Sequence, residues 1–192
     1  MVKLEAICTI VRGSSPRPQG DSKYFGGSVP RLMVADITRD GMYTTPKIDS
    51  LTELGAGKSR PMKSGEVIIT VSGNPGLPTI LAVDACIHDG FVGLRELNKD
   101  VLSEYLYFSL LALHGRHGSQ SVGAVFKNLT SDQIREFTIS LPPLATQQTI
   151  VAEIEAEQAL VAANRELIER FEKRIQAAIG RVWGEPTLLN MQ

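Results

Sequence analysis

The chain reads as an α+β protein: a globular domain over residues 1–141, one long helix over 142–183 and a short tail over 184–192. Three observations predict this. Short Val- and Ile-rich runs bounded by Gly, Pro, Ser and Asn recur through the first part. A Pro-Pro step at Pro142 and Pro143 interrupts them, and a seven-residue apolar repeat then runs to about Trp183.

The strand-like runs are "LEAICTIV", "RLMVADI", "EVIITV", "TILAVDACI" and "GFVGLREL". Two helices interrupt them: "VLSEYLYFSLLALH" has apolar residues at helical spacing, and "TSDQIREF" opens with a capping box from Thr130 to Gln133. The following prolines exclude helix from Leu141 and Pro142, whereas Pro143 can occupy a first helical position.

Composition excludes several classes. At 192 residues and 43% hydrophobic content the chain can form one good core and an appendage. No apolar run approaches 18 residues, and "MVKLEAICTIV" lacks the marks of a signal peptide, so a soluble, cytoplasmic protein without a membrane partner is expected. Cys8 and Cys86 stand far apart, as reduced thiols rather than a disulfide or zinc framework.

Net charge is −1, yet the cations are clustered. Arg12, Arg17, Lys23 and Arg31 face one acid, Asp21, in a Ser-, Pro- and Gly-rich segment. Lys58, Arg60 and Lys63 face none between Leu54 and Gly65, and His114, Arg116, His117 and Lys127 gather in an acid-free stretch from Tyr105 to Ser131. Basic loops in a neutral chain suggest a surface that meets phosphates; chance enrichment of polar loops is the plainer alternative.

The long helix has a countable register. Ile154, Val161, Ile168, Ile175 and Val182 recur every seven residues, and three positions further on stand Glu157, Asn164, Phe171 and Ala178. This is a coiled-coil seam with a flawed second row, widened by Leu160 and Leu167. A helix of about 57 Å exceeds the width of a domain of this size, so folding back on its own domain cannot cover it. A partner helix, packed antiparallel, is expected.

Enzymatic motifs are weak. "TELGAGKS" ends like a phosphate-binding loop, but Thr52 stands where the first Gly is needed and no apolar strand precedes it. "DACIHD" sets Asp84, Cys86 and His88 on one face of a strand, a spacing better explained by a buried cysteine than by a metal. "LPPL" lacks the polar and aromatic residues of an amino-methyltransferase motif, and no Gly-rich cofactor loop is present. Neither a cofactor, a metal nor catalysis is expected of this chain.

The stretch "LTSDQIREFTISLPPLATQQTIVAEIEA" resembles the junction between recognition domain and conserved spacer helix in specificity subunits of type I restriction-modification systems. "VRGSSPRPQGDSKYFGGSVPRLMVADIT" and "KSGEVIITVSGNPG" resemble earlier parts of their target recognition domains, in the same order. Typical members carry two recognition domains and two spacer helices, whereas this sequence has one of each and no internal repeat, and so matches half a subunit, either a natural half-length form or a piece of a longer chain. The resemblance implies a non-catalytic DNA-recognition subunit that reads one half of a bipartite site in double-stranded DNA. Its implied partners are a methyltransferase subunit, a restriction subunit in the full complex, and a second copy of itself.

On that reading Arg17, Gln19, Lys23, Asn74, Arg116, His117 and Gln120 are candidates for base contacts, and Lys58, Arg60, Lys63, Lys127 and Asn128 for phosphates. Gly73, Pro75 and Gly76 shape a turn. The expected dimer interface is Ile154, Val161, Asn164, Ile168, Phe171, Ile175 and Val182. A helix-mediated interaction module without DNA binding is the rival reading.

Overall fold

The computed structural model describes residues 1–119 and 129–183, the side chains of 115–119 excepted. The chain divides into two compact units, Met1–Gln148 and a second beginning at Thr149.

The first unit begins with β1 (Val2–Lys3), a 3-10 turn (Leu4–Ala6), β2 (Thr9–Arg12), β3 (Phe25–Leu32), α1 (Val34–Asp40), β4 (Tyr43–Thr44) and β5 (Asp49–Leu51). It continues through α2 (Glu53–Ala56), β6 (Arg60–Met62), β7 (Val67–Thr70), β8 (Pro78–Leu81), β9 (Ala85–Ile87) and β10 (Phe91–Arg95). α3 (Ser103–Ser119), α4 (Ser131–Arg135), β11 (Thr138–Ile139) and the first residues of α5 (Leu144–Trp183) complete it.

Among the described residues three sheets result, ordered β1-β11, β2-β10-β7-β8-β4 and β5-β3-β9-β6. Pairing is antiparallel except β4 with β8 and β3 with β9. Leu32, Met62, Ala85 and Ile87 from the four-stranded sheet meet Ile68, Leu81 and Phe91 from the five-stranded sheet in one buried cluster, closed by Ile37 of α1. Gly93 of β10 permits this approach, because a Cβ there would stand 2.3 Å from the Met62 methyl. α3 lies against β7 and β8 and buries Leu106 and Leu110.

Three predicted strands differ from what forms. "LEAICTIV" is broken by the 3-10 turn: Leu4 and Ile7, three residues apart, are both buried, and the Leu4 carbonyl accepts the Ile7 and Cys8 N–H groups. "RLMVADI" stops being strand at Leu32, where Asp36 accepts the Met33 N–H at 3.0 Å and starts α1. "TILAVDACI" makes two strands in two different sheets. "EVIITV", "GFVGLREL" and the Thr130–Gln133 capping box form as read. Neither cysteine is bonded to another: Cys86 is buried and Cys8 half-buried, its thiol pushed up to about 12 by burial.

α5 starts at Leu144 rather than Pro143, since the Pro143 carbonyl already accepts from Thr146 and Gln147 as a cap does. Gln147 is fully buried; its Oε1 accepts the Leu102 N–H and its Nε2 donates to the carbonyls of Asp100 and Pro142. From Ala152 onward α5 is mostly solvent-exposed. Its 40 residues extend about 60 Å. No helix among the described residues is long and apolar enough to cross a membrane.

Candidate nucleic-acid interface

Hydrogen bonds join the segments that carry Arg12, Arg17, Lys23, Lys58 and Arg60 into one strip. The Thr52 hydroxyl donates to the Lys23 carbonyl at 2.8 Å and accepts from Gly55 N–H at 3.1 Å, tying the segment before β3 to α2. The turn that looked like a phosphate loop is therefore a capped helical turn. Gly55 is needed there, because a Cβ would lie 2.1 Å from the Tyr24 carbonyl oxygen.

Beyond α2, the Ser14 hydroxyl reaches the Lys58 carbonyl at 3.5 Å, Ser59 Oγ donates to the Ser14 carbonyl at 2.8 Å, and Arg60 Nε donates to the Arg12 carbonyl at 3.1 Å. Lys23 and Lys58 thus converge on one ring. Their ammonium groups lie 5.8 and 5.1 Å from the centroid of buried Tyr24, within cation–π range. Arg12, Arg17, Lys23, Lys58 and Arg60 are all exposed along this strip, as is Gln19.

The strip continues onto the turn between β9 and β10. Gly13 N–H donates to the Phe91 carbonyl and Ser14 N–H to the Ile87 carbonyl, while Val71 N–H donates to Gly90 on the turn's other side. The Ser72–Gly76 turn follows, with Gly73 and Gly76 at positive φ as its shape requires. Asn74 is exposed at its tip, the Thr70 hydroxyl donates to the Asn74 carbonyl, and His114 Nδ1 of α3 lies 3.2 Å from the Pro75 carbonyl oxygen. Leu129 N–H donates to the Val71 carbonyl. Arg116 and His117 lie on α3 within the stretch whose side chains are not described; Gln120, Lys127 and Asn128 lie outside the described residues.

Two predicted cations stand apart. Lys63 follows β6 at the end opposite Arg60 and pairs with Asp84 at 2.7 Å, a contact that holds the Asp84 carboxyl below its ordinary range. Arg31, counted among the basic loop residues, is only 7% exposed: its guanidinium bonds Asp49 and donates to Ser15 Oγ at 3.1 Å, leaving Nε without a partner. Through Ser15 it is tied to the segment that carries Arg17.

Of the weighed metal spacing, Asp84 is engaged by Lys63, Cys86 is buried, and His88 Nδ1 accepts the Gly90 N–H at 2.9 Å. Burial, with the Arg31 charge adding, pushes the His88 pKa down. Sequence reasoning missed Asp89, next to it. Asp89 accepts from Ser15 Oγ at 2.6 Å, which holds its carboxyl below the usual range, and faces Arg17 Nη2 at 3.7 Å. The signal was available: Asp-Gly between two apolar runs marks a tight turn that exposes its acid.

Residues 1–173 match the family model described as the type I restriction modification DNA specificity domain. The chain belongs to this family. A putative type I restriction enzyme MjaX specificity subunit from Methanocaldococcus jannaschii is 25% identical over 172 residues, covering 88% of this chain and 38% of that protein. The crystal structure of an HsdS subunit from Thermoanaerobacter tengcongensis superposes with a TM-score of 0.68 at 26% identity, over 86% of this chain and 38% of that one. A chain from a structure of the type I R-M system, solved for its complex assembly and conformational transition, gives 0.70 at 25% identity, over 94% and 42%. This specificity domain thus spans about two fifths of the length of the relatives it matches.

Proposed function

We propose that this chain is a non-catalytic, cytoplasmic recognition subunit that reads one half of a bipartite site in double-stranded DNA. It positions a separate methyltransferase subunit and, in the full complex, a restriction subunit. The carrying observation is the strip: five exposed cations on adjoining loops and strand ends of a chain whose net charge is −1. Arg12, Lys58 and Arg60 meet phosphates, and Lys23, expected from the sequence at a base, joins them because it shares the Tyr24 ring with Lys58; Arg17, Gln19 and Asn74 meet bases. Residues 1–141 read, and residues 142–183 join two copies through an antiparallel coiled coil. Val161, Ile168, Phe171, Ile175 and Val182 are exposed on α5, which a partner helix would cover.

The test is to express the chain with its methyltransferase subunit and map methylated positions in cellular DNA. Methylation at a defined two-part sequence, with in-vitro binding that weakens steeply as salt rises, is the expected result. Absence of any salt-sensitive DNA binding by the complex would leave a protein-interaction module as the better account.

A further inference from the structure

An acid stands among the cations of the strip. Asp89 occupies the middle of the His88–Gly90 turn, whose backbone is fixed on both sides. Gly13 packs so closely that a Cβ would lie 2.0 Å from the His88 carbonyl oxygen, and a Cβ on Gly90 would meet the His88 ring at 2.5 Å and Ser72 Oγ at 2.9 Å. The backbone that carries Asp89 is thereby held in place. Asp89 remains 53% exposed beside Arg17, itself 67% exposed.

The two carboxylate oxygens differ. Oδ1 accepts from Ser15 Oγ at 2.6 Å, and Ser15 Oγ is held by Arg31 Nη2 at 3.1 Å, so the carboxylate's orientation is set through a buried guanidinium. Oδ2 lies 3.7 Å from Arg17 Nη2, beyond hydrogen-bond length, and keeps its acceptor capacity. Arg17 likewise keeps donors. An exposed carboxylate repels phosphates, so on a surface facing DNA it lowers general affinity. It gains only from a group that donates protons.

In the major groove that group is an exocyclic amine, cytosine N4 being the usual partner of an acidic side chain, while guanine O6 and N7 receive an arginine fork. A C·G pair presents that donor and those acceptors side by side, complementary to a carboxylate and a guanidinium that adjoin each other. We propose that Asp89 and Arg17 together read one C·G base pair, Asp89 accepting from cytosine N4 and Arg17 donating to guanine. This rests on the DNA-recognition reading above.

The experiment uses the complex with the methyltransferase subunit, mapping methylated sites for the unmodified chain and for Asp89→Asn. The unmodified site should contain a C·G pair in each half, and D89N should relax selectivity there by about 10- to 100-fold. The salt dependence of binding should stay unchanged, because no phosphate contact is touched. An unchanged site in a folded D89N complex overturns the proposal, as does a half-site without a C·G pair. Should D89N fail to fold, Arg17→Ala must relax the same C·G pair; relaxation elsewhere, or none, is equally fatal. If the unmodified complex shows no sequence-selective methylation, both this inference and the recognition reading fall, whereas a mapped site insensitive to Asp89 removes the inference alone.

Discussion

Lys58 holds its ammonium 5.1 Å from the centroid of the Tyr24 ring, and Lys23 approaches the same ring at 5.8 Å from a loop 35 positions earlier in the chain. The ring localises two charges that would otherwise sweep through solvent. Replacing both lysines with alanine should reduce the slope of log affinity against log salt by about 1.8, about 0.9 for each phosphate no longer neutralised. Tyr24→Phe keeps the ring face and should leave the slope unchanged. An equal slope in the double variant would move the phosphate-binding surface elsewhere.

The exposed apolar row of α5 leads to a second expectation. Ile168 and Ile175 are each 56% exposed, and a helix of this length gains by covering them against a second copy. Light scattering of the purified chain at micromolar concentration should give the mass of a dimer, and Ile168→Glu a monomer. A monomeric unmodified chain would point to a longer partner chain instead.

If two copies join through α5 as proposed, a twofold axis makes them read inverted half-sites, and the target should be an interrupted palindrome. Half-site centres about one turn of DNA apart, roughly 34 to 36 Å, leave an unread spacer of about six or seven base pairs between half-sites of about three or four. Deleting one heptad, Val161 to Leu167, shortens α5 by about 10 Å and keeps the seam in register. The mapped spacer should contract by roughly three base pairs. The same spacer from a well-folded complex would show that the helix does not measure it.

The two glutamines at the start of α5 should behave oppositely. Gln147 is buried with three hydrogen bonds, and Gln147→Ala strands the Leu102 N–H and two carbonyls at a cost of about 3 kcal/mol. Gln148 is exposed, and its replacement by alanine should stay within about 0.5 kcal/mol. Urea unfolding of both variants checks the contrast.

His88 adds a pH dependence. Its Nδ1 must be unprotonated to accept the Gly90 N–H, and burial keeps the folded-state pKa below its ordinary value. The unfolded chain takes up a proton near pH 6.5 that the folded chain refuses until lower pH. Stability from this group is therefore complete above about pH 6.5 and falls as pH drops below it. Thermal midpoints between pH 7 and 5 should decline, and His88→Gln should flatten the decline; parallel declines would acquit His88. The aspartates with depressed pKa values, Asp40, Asp84 and Asp89, act below about pH 4, outside this window.

Local pattern revealed the elements that local forces dominate. The run "EVIITV" is buried at every strand position, and the Thr130 box caps α4 with its own side chains. The start of α1 was hidden because no Ser or Thr precedes it: Asp36 does the capping from three residues inside, while also accepting from Arg39 and the Lys47 N–H. The two strands within "TILAVDACI" look continuous because both are apolar, and only the assignment of β8 and β9 to different sheets separates them.

For the interface, composition found the cations but could not tell free from engaged ones. Arg31 and Lys63 differ from Lys23 and Lys58 through acids remote in sequence, Asp49 and Asp84. Ser15 meets Asp89 across 74 positions and Ser14 meets Lys58 across 44, so the strip exists only after the sheets form. Asp89, being an acid, escaped a count of positive charge, although its Asp-Gly turn could be read from the sequence.

The loops of the strip are fastened largely through their main chains: Gly13 to Phe91, Ser14 to Ile87, Thr52 to Tyr24 and Val71 to Gly90. Amide and carbonyl groups do not change when a codon does. Outward-facing side chains at positions such as Arg17, Gln19 and Asn74 can therefore be exchanged without loosening the frame that presents them. If the domain reads DNA as proposed, its target can change by point substitution at these positions while the frame stays fixed.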